Sequence, residues 1–292
     1  MTLDDILARG NQPEVLGSGY GFTEGPGADG RGNIYFSDGR NNAIHYYEVG
    51  QPVKLFVNDS IDPIGMMFNT RGELYVCEGG AYRVVAFDVQ TRQKRVLCGQ
   101  IDGSHFNEPN DLAVDHQDGF YFSDPNYQHH AQPTVMKEDV YYCSPAGEVS
   151  RVSTVCFKPN GVLLSGDGKT LYVADARGQR IYKYDVLAPG RLAHETLWID
   201  QLRANPDGLT LDEQGNLYIC CGRAGLRIYD CRGEFVGLIP VHAANACFGG
   251  PEFRTLFVAS ADKFLGILTK VTGIKPLPLN PQRSGQPSAR QR

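Results

Sequence analysis

Asp29 to Asp38 read DGRGNIYFSD, a turn-forming stretch followed by a β-rich run that ends on an acid. Close variants return as NTRGELYVCE (Asn69 to Glu78), HQDGFYFSD (His116 to Asp124), GDGKTLYVAD (Gly166 to Asp175), DEQGNLYICC (Asp212 to Cys221) and PEFRTLFVAS (Pro251 to Ser260). The anchoring aromatics Tyr35, Tyr75, Tyr121, Tyr172, Tyr218 and Phe257 lie 40, 46, 51, 46 and 39 residues apart. A repeat of about 40–50 residues is the length of one four-stranded propeller blade.

The surrounding sequence fills out each repeat. A further strand pattern follows five of the copies: AIHYYEV (Ala43 to Val49), RVVAFDV (Arg83 to Val89), DVYYCS (Asp139 to Ser144), RIYKYDV (Arg180 to Val186) and LRIYDC (Leu226 to Cys231). β-Branched and aromatic residues dominate them, as in strands. Outer strands are predicted at Pro52 to Val57, Lys94 to Gly99 and Glu195 to Asp200. One blade cannot bury both faces of its sheet, so the blades must stack in a closed ring. The expected fold is all-β: a six-bladed β-propeller of four-stranded antiparallel blades, one unit over residues 1–280. The sixth repeat is short of an outer strand, and Glu14 to Ser18 is expected to supply it and close the ring. One or two helical turns are expected near Leu3 to Ala8. The polar stretch after Pro281, QRSGQPSARQR, is expected to be a disordered tail.

Composition narrows the function. The 292 residues carry a formal net charge of -5, with 41% hydrophobic and 21% charged residues, enough apolar material for a sizeable core. The acidic balance and the lack of a Lys/Arg run argue against nucleic acid as a partner. No stretch approaches the roughly 20 apolar residues that span a bilayer. The opening MTLDDILARG lacks the basic and apolar regions of a secretory signal. Eight cysteines contain no C-x-x-C pair. They read as buried, unpaired thiols on strands, and the protein as cytoplasmic.

The residue that begins the innermost strand of each blade faces the channel. Counting back 11 or 12 from each anchoring aromatic gives Glu24, Ile64, Asn110, Asn160, Asp207 and Asn245. Five of the six are Glu, Asn or Asp. Each motif alone is a common turn former; the shared register is what points to a site. Converging carboxylate and amide oxygens make a hard-oxygen site for one divalent cation, Ca²⁺ first, with Mg²⁺, Mn²⁺ or Zn²⁺ as alternatives. Glu24 and Asp207 would balance its charge.

The motifs FTEGP (Phe22 to Pro26), EPNDLAVD (Glu108 to Asp115), GFYFSDP (Gly119 to Pro125), KPNGVLLSGDGKTLYVAD (Lys158 to Asp175), NPDGLTLDEQGNLY (Asn205 to Tyr218) and FGGPEFRTLFVA (Phe248 to Ala259) occur in one order at one spacing. Together they resemble the gluconolactonase/regucalcin (senescence marker protein) family over roughly Val15 to Leu268. The resemblance implies a metal-dependent lactonase that opens a small sugar lactone. It implies Glu24, Asn160 and Asp207 as metal ligands, Asn110 as a substrate-binding residue within reach of the metal, and Asp207 as general base.

The chain also departs from that pattern. Some relatives carry a substrate-contacting arginine two residues before the position of Asn110; here it is Glu108. Ile64 brings an apolar group to the axis. Glu108, His105 and Asn245 join Asn110 as candidate substrate contacts. His129 and His130 fall in the polar insertion Asn126 to Asp139, which accounts for the widest spacing; it reads as a loop over the site or as solvated surface. Trp198 reads as packing on an outer strand. The absence of a G-x-S-x-G elbow and of a Walker loop argues against a serine hydrolase or an NTPase. Two alternatives stay open: hydrolysis of another ester or phosphotriester at the same site, as in the related squid-type phosphofluoridases, and a propeller that only binds.

Overall fold

Each copy of the repeated phrase forms the second strand of a four-stranded antiparallel sheet, and there are six such sheets. The computed structural model describes residues 1–8, 12–127 and 137–280. His129, His130 and the 282–292 tail lie outside the described residues. The second strands are Ile34–Asp38, Glu73–Glu78, Phe120–Asp124, Thr170–Asp175, Leu217–Cys220 and Thr255–Ser260. The inner strands are Thr23–Ala28, Pro63–Phe68, Leu112–Val114, Pro159–Leu164, Leu209–Leu211 and Asn245–Gly249. The sixth sheet takes its outer strand from the start of the chain: Glu14–Ser18 pairs antiparallel with Lys263–Leu268, with Val15 opposite Leu265. A single helical turn, Leu3–Ile6, tucks Ile6 between blades 5 and 6.

The period-two pattern has a direct physical outcome. Successive strand residues point to opposite faces, and in a propeller both faces meet another blade. Six apolar clusters fill the six gaps between blades. Ile34 and Phe36 face blade 6, while Tyr35 between them faces blade 2. Leu74 and Val76 face blade 1; Tyr75 and Cys77 face blade 3. The adjacent Cys220 and Cys221 divide in the same way, one toward blade 6 and one toward blade 4. All eight thiols are free. Trp198 packs on Tyr172 with ring centroids 5.3 Å apart.

The acid that ends the phrase also has a task. Asp38 accepts hydrogen bonds from the Gly21 and Phe22 N–H groups at 2.9 and 3.0 Å. Asp124 accepts from Asn107 N–H at 2.8 Å, and Asp175 from Phe157 and Lys158 N–H at 3.1 and 3.0 Å. Each carboxylate gathers the backbone of the loop that leads into its own inner strand. It thereby fixes the residues that begin that strand. At the other end, Asp29, Asp115 and Asp212 cap the turns between first and second strands through paired N–H bonds.

The segment from Val271 to Asn280 crosses that second end. Gly273 N–H donates to Phe253 O at 2.8 Å, Ile274 N–H to Leu211 O at 3.1 Å, and Asn280 N–H to Thr70 O at 2.8 Å. Ile274 to Pro276 close an apolar cavity of ≈ 130 Å³ lined by inner-strand residues of all six blades. The strap thus lies across the channel below the polar ring. Among the described residues no helix is long and apolar enough to cross a membrane.

Candidate functional site

The open end of the channel is where the inner strands begin. Glu24, Asn160 and Asn245 lie within the first two residues of their strands; Asn110 and Asp207 lie just before Leu112 and Leu209. Glu24, Asn110, Asn160 and Asn245 are only 5–8% exposed, and Asp207 is part-exposed.

The strands converge because their next residue is small. Four of the six axial residues are followed by glycine: Gly25, Gly65, Gly161 and Gly208. A Cβ on Gly25 would stand 2.0 Å from Ile64 O, one on Gly161 2.3 Å from Asp207 O, and one on Gly208 2.1 Å from the Asn245 amide carbon. Missing side chains therefore let each strand rest against its neighbour's axial residue. Backbone bonds join the blades here: Gly65 N–H to Asn110 O at 2.8 Å, and Gly161 N–H to Asp207 O at 3.2 Å.

Blade 3 breaks the rule. Asp111 occupies the glycine position, and its carboxylate accepts from Leu112 N–H at 3.0 Å and from Val162 N–H of blade 4 at 3.1 Å. The sequence reading passed over this residue. Its signal was the aspartate of P-N-D where P-N-G and P-D-G have no side chain.

Three crowded carboxyls result, Glu24 and Asp111 buried and Asp207 part-exposed. Burial, then Asp207 and Asp111, push the Glu24 carboxyl well above the usual range, against opposing hydrogen bonds from Gly25 and Asn245. Burial pushes Asp207 up to about 7; a hydrogen bond from Asn160 opposes this and Asp111 adds to it. Burial also lifts Asp111 to about 7 despite its two backbone donors. The groups acting most strongly on Glu24 and Asp207 are acids and amides, not lysine or arginine. Such a crowd is relieved by protons or by a cation. Among the described residues no three of His, Cys, Asp and Glu come together as a metal-holding group. A donor set here would combine carboxylates with neutral oxygens such as those of the Asn amides, which fits a hard cation rather than a thiolate or imidazole site.

This arrangement has a thermodynamic signature. For each raised carboxyl the folded protein binds a proton more tightly than the unfolded chain does. Stability is then greatest below the unfolded values of 3.8 and 4.5 and falls as pH rises through the folded values, about 7 for Asp207 and Asp111. Cation-free protein is expected to melt at lower temperature at pH 8 than at pH 5, losing at most about 1.4 kcal/mol per pH unit per carboxyl. Saturating divalent cation should flatten the dependence. A pH-independent melting point in chelated protein would contradict the picture.

Tyr127 is the second residue that sequence reasoning missed; it lies in the insertion and has no counterpart in the repeat. Asn160 Nδ2 donates to its hydroxyl at 2.7 Å, and Lys158 Nζ lies 4.4 Å from its ring centroid. Burial, then the Asp207 charge, raises the Tyr127 phenol. Its N–H donates to Glu108 Oε2. Glu108 is buried and thereby anchors Tyr127. Tyr127, Asn160 and Asp207 line an open cavity of ≈ 630 Å³ at the channel mouth, together with Lys158, Arg177 and Arg223. His105 lies elsewhere on this face, on the short hairpin Gln100–Ile101/Ser104–His105, with its ring 4.5 Å from that of Tyr82. Ile64 packs over Gly79.

Comparison with known proteins agrees with the geometry. The pattern of the SMP-30/gluconolactonase/LRE-like region matches residues 22–262. A gluconolactonase of Zymomonas mobilis subsp. mobilis is 30% identical over 93% of this chain and 85% of its own length. A solved gluconolactonase of Xanthomonas campestris superposes with a TM-score of 0.83 at 23% identity, covering 91% of this chain and 92% of its own. Regucalcin of Agrobacterium tumefaciens, described as a calcium-binding protein, gives a TM-score of 0.77 at 17% identity over 92% and 97% of the two chains. With a six-bladed ring, a polar axial register and a family match across all six repeats, the chain belongs to the SMP-30/gluconolactonase/LRE-like family.

Proposed function

We propose that this protein is a hydrolase that opens a small lactone, most simply a sugar lactone, with the help of one divalent cation at the channel mouth. The observation that carries the reading is the crowding of Glu24, Asp207 and Asp111 at the axis, where the charges of Asp207 and Asp111 add to burial in raising Glu24 and Asp111 does the same to Asp207. Glu24 and Asp207 are near enough for the Asp207 charge to raise the proton affinity of Glu24, with amide side chains around them and an open cavity beside Asp207. The similarity to a gluconolactonase supports the substrate class.

In this reading Glu24, Asn160 and Asp207 hold the cation, and Asn110 is a fourth ligand or a close neighbour. A bound hard cation supplies polarisation of a carbonyl oxygen and stabilisation of developing negative charge. The chain's own groups do the rest. Asn110 orients the lactone by hydrogen bonding. Asp207 accepts a proton from the attacking water, a role suited to a carboxyl that burial has made more basic. Tyr127 holds the Asn160 amide through its hydroxyl. The strap of Ile274 to Pro276 lies across the far end, which leaves the polar mouth as the route for substrate and product. The eight free thiols favour the reducing cytoplasm.

Protein purified without chelator is expected to contain one equivalent of divalent cation, and the Glu24→Gln plus Asp207→Asn variant far less. Gluconolactone hydrolysis should stop in chelator and return with Ca²⁺ or another divalent ion. Equal metal content in the two proteins would sink the ligand assignment. Hydrolysis of organophosphate triesters but no lactone would transfer the same site to the other ester chemistry.

A further inference from the structure

We propose that the natural lactone carries an anionic substituent, a carboxylate or a phosphate, remote from its carbonyl, and that Arg177 and Arg223 hold it. This rests on the lactonase reading and names its substrate class. Both arginines are exposed on turns just after the second strands of blades 4 and 5, and both line the cavity that holds Asn160 and Asp207. Seven arginines elsewhere pair with a carboxylate within 4 Å, among them Arg83 with Glu78 at 2.7 Å and Arg151 with Asp139 at 2.7 Å. Among the described residues no carboxylate lies within that distance of Arg177 or Arg223. The third cation of the cavity, Lys158, is already committed to Glu138 at 2.9 Å and to the face of Tyr127.

Two guanidinium groups without an ion pair thus share one cavity beside the axial residues. Their planar forks match the oxygens of a carboxylate or a phosphate. The cavity therefore has two chemically distinct parts: a floor with an acid and an amide at Asp207 and Asn160, and a cationic wall at Arg177 and Arg223. Its ≈ 630 Å³ lies within the range of about 300–1,000 Å³ for small-molecule sites, room for a substrate that reaches both. The wall also attracts an anion that the floor's own carboxylate would otherwise repel. It stands on blades 4 and 5, whereas blade 3 presents Glu108, which is turned to Tyr127.

The test compares kcat/KM for gluconolactone, a glucarolactone and 6-phosphogluconolactone. At least one charged lactone should exceed the neutral one by about tenfold or more, as expected for charge-assisted pairing. Which of the two does so identifies carboxylate or phosphate. In the Arg177→Gln plus Arg223→Gln protein the charged-to-neutral ratio should fall about tenfold, while Lys169→Gln at the other end of the channel should keep it. Raising ionic strength should shrink the wild-type ratio. A wild-type ratio near one, or a ratio unmoved in the double variant, overturns the proposal and leaves the lactonase reading standing. If no lactone is opened, that reading fails, and calorimetry with gluconate, glucarate and 6-phosphogluconate decides the anion site separately. Tighter binding of a charged acid that depends on both arginines upholds it, and equal affinity removes it.

Discussion

In cation-saturated protein, Asp207→Asn is expected to lower kcat by about 10²–10⁴-fold, the usual scale for losing a general base. The substitution keeps the shape of the side chain and removes its proton-accepting oxygen. Asp207 lies just before the fifth inner strand with its N–H bonded to Cys220 O at 2.8 Å and its O receiving Gly161 N–H, so the backbone should stay in place. The pH profile gives a second readout. Activity that needs ionised Asp207 rises with pH through its apparent pKa. A bound cation favours the ionised form, so that midpoint should fall below the value of about 7 reached without one. The acidic limb should be absent in the variant. If activity instead follows metal occupancy and returns at high cation concentration, Asp207 is a ligand only. Full activity in the metal-loaded variant removes it as the base.

Gly25→Ala is expected to destabilise the protein by about 2–5 kcal/mol. Gly25 has φ +43, where a Cβ costs about 1–2 kcal/mol, and the added carbon would lie 2.0 Å from Ile64 O and 2.5 Å from Gly65 Cα. Those neighbours are backbone and cannot swing aside, so an overpacking cost of about 1–3 kcal/mol adds to the strain. Gly30→Ala is the control: it lies in the Asp29 turn, has no positive φ, and an added Cβ meets nothing within 4 Å. It should change stability by less than about 0.5 kcal/mol. Urea denaturation of both variants measures the difference. A loss of less than about 1 kcal/mol in Gly25→Ala would show that the axial strands do not need their close approach. Loss of bound cation in the same variant, with Glu24 one residue away, would link that approach to the site.

The blade count, the identity of the second strands and the register of the axial residues were written in the sequence. Each arises from recurring local chemistry: a turn with Asp or Gly and a run alternating between two buried faces, joined in the first four blades by an acid at the end of the phrase. Such signals survive in one dimension because period-two alternation and turn preference depend on neighbours a few residues apart. Glu24, Asn110, Asn160, Asp207 and Asn245 were legible for the same reason, since a constant offset from an anchoring aromatic places equivalent residues at equivalent heights. Other features have no repeating signal. Asp111 became visible as a third crowded carboxyl only when Val162 of the next blade was seen donating to it. Tyr127 belongs to an insertion, and its hydroxyl reaches Asn160 across 33 positions of chain. The strap of Val271 to Asn280 crosses the channel with bonds to blades 2, 5 and 6. The pairing of Arg177 with Arg223 in one cavity depends on how adjacent blades are turned about the axis. Sequence alone determined what each blade is made of; only the closed ring decided which residues of different blades share a space, because those contacts join chain segments whose separation carries no local preference.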